Sequence, residues 1–532
     1  MKKTLAAILV VAMLLAGFVG ALAADTPAKE DITSIQANII PSFYGYKVGT
    51  VVITYKDGTD LSGAKLEDYT VYDRGFNNPE FGALNVVDLA VEGNTVTLIV
   101  DEGTDKVTDR SRETYGTLCT SSAWYIDKAG VLHFGAEEYT DALGITFAPN
   151  TLKKGLQRRA NLDLVLCLGD EAVADGIAST DGLGNLLEDS LWEPATLPEG
   201  LANCTLEFVD LDAPYYTLLS DEGLVPVHVI YPEGYDANRA EPYPVVNYQC
   251  GGGVCYWEVS DGIVSGGAQA EETNANNLGC NTVYDTMMEN WHRLMPDAII
   301  MSVNVHSSPL DTAALEIAGV LDYAIENWNV DPDRIATVGN SQGTLINSRL
   351  IALRPDLVAA YVECNGNFGG MAQAEPLDGT IEHSAFADWT FRQMANVLDN
   401  EVAVWMNNGE TDGANPAAQQ DCIKIYKQLY RDRGYDEEWI DLFVRCSGYQ
   451  SWKFKAWGET DHSVTKVVAW NYLERPYNDV TEDGAILEPG DTYTFAGTDP
   501  DYKYYDKTMN WEYTVYAESI SEWLQMIFDA QG

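Results

Sequence analysis

Two kinds of hydrophobic pattern divide the chain. From Ile32 to about Glu102, apolar residues alternate with polar ones in short runs, the period-two signature of half-buried strands. The runs predict strands at Ile32–Ile40, Gly49–Tyr55, Tyr69–Tyr72, Leu84–Val91 and Thr95–Val100, with Glu92-Gly93-Asn94 as a hairpin turn between the last two. Residues 106–204 mix short β-like runs (Leu162–Leu168) with Gly- and Asp-rich turns and show no sustained helical period. Past Thr205 the pattern changes, and strand-length apolar runs alternate with helical stripes. Strands are predicted at Val225–Tyr231, Pro244–Tyr248, Ala298–Val305, Arg334–Val338, Leu357–Glu363, Val402–Met406 and Trp452–Trp457. Between them, Ile317, Val320, Leu321, Ala324 and Trp328 form one stripe of a helix over Ala313–Trp328. Thr344–Leu353 is a second helix, ending before Pro355. Cys422, Ile425, Tyr426 and Leu429 mark a third, closed at Arg433-Gly434. A last helix opens on Ser519 and Glu522 as a capping box and carries Ile520, Trp523, Leu524 and Ile527 on one face.

These patterns imply a β-rich, immunoglobulin-like sandwich over 25–105, then a β-rich connecting region over 106–204 that goes with it, then an α/β unit over 205–532. The α/β unit is expected to be a mostly parallel central sheet with flanking helices, interrupted by insertions at about 365–400 and 476–509. Residues 1–24 read as a secretory signal: Lys2 and Lys3, the apolar run Leu5–Val19, then Ala21-Leu22-Ala23. The mature protein is therefore expected outside the cell, or in the periplasm if the source has an outer membrane. No later stretch is long and apolar enough to span a bilayer, so no membrane partner is expected after cleavage.

Composition sharpens this. The 532 residues hold 32 basic and 81 acidic side chains, a formal charge of −49. Such a surface repels nucleic acid, which excludes that class of partner. Six histidines and nine cysteines without zinc-ligand spacing argue against a metal site, and no cofactor motif is present. Cys250, Cys255 and Cys280 lie close enough in sequence to include one disulfide.

The sharpest chemical signal is Gly339-Asn340-Ser341-Gln342-Gly343, placed between a short apolar strand and an amphipathic helix. A serine in that strand–turn–helix setting sits on a tight turn with its hydroxyl exposed, and the flanking glycines avoid clashes with neighbouring backbone. The hydroxyl becomes nucleophilic only when a base takes its proton, normally a histidine oriented by a carboxylate. On such elbows the chain order is serine, acid, histidine. Only His383 and His462 lie downstream, and His383 precedes the strand that should deliver the acid, leaving His462. Asp412, in Asn408-Gly409-Glu410-Thr411-Asp412-Gly413, is the acid of choice, with Glu410 its rival and Asp461 a solvated neighbour of the histidine. Gln342 N–H and the glycines Gly251 and Gly252 are candidate donors to an oxyanion. Tyr256, Trp257, His306, Trp389 and Trp457 are candidates to line a substrate pocket.

Taken in order, several stretches resemble secreted bacterial α/β-hydrolase esterases related to polyhydroxybutyrate depolymerases and feruloyl esterases, some of which carry an N-terminal immunoglobulin-like domain. They are Val229–Tyr235, Tyr243–Gly253, Val330–Ile335 leading into the elbow, Gly409–Asp412 and Trp511–Phe528. The resemblance covers about 205–532 and implies an α/β-hydrolase fold, Ser341, Asp412 and His462 as a triad, and hydrolysis of small-molecule or polymeric carboxylic esters. Two departures stand out: Cys250 replaces the histidine often found before the oxyanion glycines, and 476–509 is inserted before the last helix. A serine peptidase of the prolyl-oligopeptidase type and a non-catalytic binding protein on the same scaffold are the alternatives. The former's propeller, at ~40–50 residues per blade, fits poorly in the N-terminal third.

Overall fold

The computed structural model describes residues 27–42, 45–73, 83–101, 124–126, 132–134, 139–140, 146–147, 164–179, 187, 189–211, 224–249, 251, 257–260, 263–266, 282–303, 305, 310–366, 396–410, 412, 416–456, 461–470, 481–496 and 510–531. The signal segment 1–24, most of the 365–400 insertion and Cys250, Cys255 and Cys280 lie outside them.

Near the N-terminus, Ile32–Ser42, Gly45–Tyr55, Thr95–Val100 and Val86–Glu92 form a four-stranded antiparallel sheet in that spatial order. Alternation does what the sequence pattern requires: along Thr95–Val100, Val96, Leu98 and Val100 turn inward and are buried. A second sheet faces it, made of Ile177–Ala178, Leu164–Leu168 and Tyr69–Asp73. Ile35, Val51, Ile53, Val71, Leu98, Leu164 and Leu166 pack into one core between the two. Leu164–Leu168, from the region between the two main units, is thus the central strand of the second sheet.

The main sheet has eight strands: β1 (Cys204–Asp210), β2 (Leu224–Ile230), β3 (Tyr243–Gln249), β4 (Ile299–Val303), β5 (Val330–Asn340), β6 (Ala360–Cys364), β7 (Ala403–Gly409) and β8 (Val444–Tyr449). Their spatial order is β1-β2-β4-β3-β5-β6-β7-β8. Only β2 runs against the rest, antiparallel to both β1 and β4; every pairing from β4 to β8 is parallel. The all-buried runs of β3, β6, β7 and β8 are those of strands covered on both faces. The covering helices include α1 (Thr282–Leu294), α2 (Leu310–Asn327), α3 (Gln342–Leu353), α4 (Pro416–Arg433), α5 (Glu437–Phe443), α6 (Ser451–Ala456), α7 (Val464–Trp470) and α8 (Ile520–Gln531). The expected α/β unit with a mostly parallel sheet is therefore present. Among the described residues no helix is long and apolar enough to cross a membrane.

Two expectations need correction. Trp452–Trp457 is not a strand: residues 451–456 form helix α6, and the strand precedes it at Val444–Tyr449. Trp452 and Phe454 have aromatic β-propensity, but Lys453 and Phe454 are both buried, which a half-exposed alternating strand would not do. Strand β5 also starts before Arg334, at Val330, running through Pro332. Arg334 stabilises that start by bonding Asp331 Oδ2 at 2.7 Å and the Pro242 carbonyl at 2.7 Å.

Helix α8 closes the sheet as its pattern predicts. Ser519 N–H donates to Glu522 Oε2 at 2.7 Å, and Glu522 N–H returns a bond to Ser519 Oγ at 3.2 Å. The apolar face buries Ile520, Trp523, Leu524, Ile527 and Phe528, and the Trp523 indole donates to the Leu442 carbonyl at 2.7 Å. Ser519→Ala should remove the cap and cost about 1 kcal/mol of stability, read as a lower urea midpoint at unchanged slope; an unchanged midpoint would mean the cap contributes nothing.

Candidate active site

Strand β5 ends at Asn340 and helix α3 begins at Gln342, so a single residue, Ser341, makes the turn. Buried Ile335, Ala336 and Val338 hold the strand in the middle of the sheet, and Ile346, Leu350 and Ile351 hold the helix against it. The joint is tight. A Cβ on Gly339 would lie 2.7 Å from the Thr344 Cα and N, so only hydrogen fits there. Ser341 takes φ 52° and ψ −115°, a left-handed conformation that costs a non-glycine residue roughly 1–3 kcal/mol. Three bonds hold it: Ser341 N–H to the Cys364 carbonyl at 3.0 Å, Thr344 N–H to the Ser341 carbonyl at 3.0 Å, and the Thr344 hydroxyl to that same carbonyl.

The location follows from topology. After β3 the chain crosses to β4 on one side, then returns to β5 on the other, so β3 and β5 flank the point where the winding reverses. Crevices outside the carboxyl ends of strands at such a point are where ligands bind in open α/β sheets. Ser341 follows β5 there, and Gly251 follows β3. A Cβ on Gly251 would stand 3.2 Å from the Ser341 Cβ and 3.3 Å from the Asn340 amide nitrogen. Glycine is thus what lets this backbone lie against the turn.

Two strands further on, β7 delivers Asp412, whose side chain is only 7% exposed. His462, in the short turn before α7, presents Nδ1 to Asp412 Oδ1 at 3.0 Å and Oδ2 at 3.1 Å. The imidazole itself remains 46% exposed. The hydrogen bond that His462 Nδ1 donates to Asp412 raises the His462 pKa above its ordinary value; partial burial opposes this, and the charges of Asp412 and Asp461 add to the rise. With its proton held at Nδ1 by the carboxylate, the neutral ring is left with Nε2 as its basic nitrogen.

The rival acid points elsewhere. Glu410 Oε2 accepts from Ser451 N–H at 3.1 Å, and Glu410 N–H donates to the Tyr449 carbonyl at 2.9 Å, tying it to the start of α6. Asp461 is not a solvated neighbour, as its sequence position suggested. It is 9% exposed and accepts a short bond from the Ser451 hydroxyl, because the turn carrying it is pressed against the end of β7. Gln342 is the first residue of α3, beside Ser341. Gly252, Tyr256, His306, Trp389, Trp457 and the side chain of Trp257 lie outside the described residues. Asn365, which the sequence reading passed over, sits between β6 and the acid and histidine turns. An Asn-Gly pair directly after a buried strand was its only signal.

No protein-family model matches the chain. Over 58 residues it is 41% identical to an acetylxylan esterase from Coprinopsis cinerea, a match spanning 11% of this chain and 16% of that relative. Among solved structures it is similar to a thermostable esterase, at 13% identity and a TM-score of 0.46, covering 82% of this chain and 96% of that one. It is also similar to the feruloyl esterase module of Clostridium thermocellum complexed with sinapinate, at 14% identity and a TM-score of 0.31, covering 50% of this chain and 86% of that one.

An NMR titration of His462 should give a pKa above the ordinary value of about 6.5, since the neighbouring carboxylate favours the charged ring. Asp412→Asn removes that charge and should lower the value; a titration unmoved by the substitution would contradict the pairing.

Proposed function

We propose that the protein is an exported serine hydrolase that cleaves carboxylic esters through a Ser341–His462–Asp412 triad and an acyl-enzyme. What carries the reading is the Asp412–His462 pair standing on the same carboxyl-end rim of one mostly parallel sheet as the strained elbow at Ser341. Each part has a chemical task. As Ser341 Oγ bonds to the ester carbonyl carbon, its proton passes to His462 Nε2, and Asp412 stabilises the imidazolium that forms. The carbonyl oxygen becomes an oxyanion, which Gln342 N–H, at the start of α3, and the N–H groups of Gly251 and Gly252 would stabilise. The C–O bond to the alcohol then breaks, and the leaving oxygen takes the proton from His462. Water, deprotonated by the same nitrogen, attacks the acyl carbon, and Ser341 Oγ departs with its proton restored.

The substrate class we favour is an acyl group on a plant polysaccharide, feruloyl or acetyl, or a polyester. The short segment shared with an acetylxylan esterase supports it, as do the aromatic residues Tyr256, Trp257, Trp389 and Trp457, which lie near the candidate site motifs in sequence. We further read the N-terminal pair of sheets as immunoglobulin-like, on the strength of two antiparallel layers around one core.

A panel of p-nitrophenyl, feruloyl and acetyl-xylan esters, run beside peptide anilides, tests the assignment. Esters should be turned over and anilides should not. Ser341→Ala should lose at least ~10³-fold in kcat while keeping its fold. Activity on anilides alone would make the protein a peptidase, and ester hydrolysis surviving in Ser341→Ala would place the nucleophile elsewhere. The acid limb of kcat/KM should follow the raised His462 pKa: protonation removes the base, so the rate falls as pH drops through a value above about 6.5.

A further inference from the structure

Ser341, Asp412 and His462 stand on three separate turns, and all three turns are hydrogen-bonded to one dipeptide, Cys364-Asn365, at the end of β6. The Cys364 carbonyl accepts from Ser341 N–H at 3.0 Å. The Asn365 amide oxygen accepts from Gly409 N–H at 3.0 Å, at the end of the strand that leads to Asp412. The Asn365 amide nitrogen donates to the Asp461 carbonyl at 3.0 Å, the peptide unit that joins Asp461 to His462. Asn365 N–H also donates to the Asn407 carbonyl at 2.9 Å. The residue is 1% exposed, so water has little access to these bonds. Gly409 and Asp461 are already in close contact: a Cβ on Gly409 would fall 2.3 Å from the Asp461 carbonyl oxygen.

Residue type and backbone both fit this position. The amide group must donate to a carbonyl and accept from an N–H at once, which neither an ionised carboxylate nor an apolar side chain does. The residue sits at φ 54°, where asparagine is among the few non-glycine types commonly found. A glutamine would carry the same amide one methylene too far to meet both partners.

We propose that Asn365 is a positioning residue: its two amide bonds set the spacing between the turns that carry His462 and Asp412 and, through the Cys364 carbonyl, the elbow that carries Ser341. The proposal rests on the ester-hydrolase reading of this site. It concerns catalysis because a displacement of about 1 Å between a nucleophile and its base can cost roughly 10²-fold in rate, while substrate contacts elsewhere are untouched. A side chain that merely filled space would, when removed, lower the melting temperature without changing the kcat of the molecules that remain folded.

The test is Asn365→Gly, which accepts the left-handed turn without strain and deletes both amide bonds. Rates are normalised to the native fraction measured by circular dichroism at the assay temperature. Wild-type ester hydrolysis that disappears in Ser341→Ala is established first; without it, the ester reading fails and this proposal falls with it. With it established, Asn365→Gly should lose roughly 10–100-fold in kcat with KM within about twofold. Its acid limb should also move to lower pH, because His462 is faced by Asp412 and Asp461 and loosening the turn weakens its bond to Asp412. If Asn365→Gly does not fold, Asn365→Asp carries the same kcat-against-KM comparison. It keeps the turn and an acceptor for Gly409 N–H but sets a carboxylate against the Asp461 carbonyl, and a similar selective fall in kcat is expected. A folded variant with unchanged kcat, or one in which only KM rises, overturns the positioning role while leaving the ester reading intact.

Discussion

The structure turns on how closely helix α3 approaches strand β5. With no Cβ on Gly339, the helix backbone comes near enough that one residue must reverse the chain, and that residue is forced to positive φ. Ser341 is not held there by its own preference. The Cys364 carbonyl, Thr344 N–H and the Thr344 hydroxyl hold it, and behind them stands the buried packing of Ile335, Val338, Ile346 and Leu350. Strain of this kind persists only where surrounding structure over-determines it. What the strain maintains is a half-buried serine on a rigid joint between strand and helix.

The parallel run of strands from β4 to β8 makes the rest of the arrangement possible. Because β3, β5, β6 and β7 run the same way, their carboxyl ends lie along one rim, and residues far apart in sequence become neighbours. Asn340, Cys364 and Asn407 occupy one register row of adjacent strands, and the residues just beyond that row are Ser341, Asn365 and the run to Asp412. The histidine turn is not on a strand at all. It reaches the rim because β8 leads into α6 and back, with Ser451 bonded to both Glu410 and Asp461.

Some of this was legible in the residues alone. The elbow could be read because a glycine-flanked serine between an apolar run and a helical stripe has few other structural uses. His462 could be read because histidines are scarce and only one follows every strand that matters. The alternation of the N-terminal strands gave one sheet of the first unit. Its partner sheet was hidden because Tyr69–Asp73 pairs with Leu164–Leu168, a contact between segments that no local pattern connects. Asn365 was hidden for a similar reason: its role lies in bonds to Gly409 and Asp461, and in sequence it is one polar residue in an Asn-Gly turn. Trp452–Trp457 misled because aromatic propensity speaks for a strand, while the chain, having just left β8, had to turn back and did so as a helix.

Charge completes the physical picture. A chain carrying −49 creates a negative potential that favours a protonated imidazole, in the same direction as the local effect of Asp412 on His462. The same field would act unequally on the two sides of the ester hydrolysis proposed above. An uncharged ester approaches without repulsion, whereas the carboxylate it yields is an anion beside an acidic surface, and its departure is favoured. An anionic ligand would meet that repulsion on arrival. The electrostatics of the whole chain therefore suit a site that takes in neutral acyl compounds and releases acids better than one built to retain them.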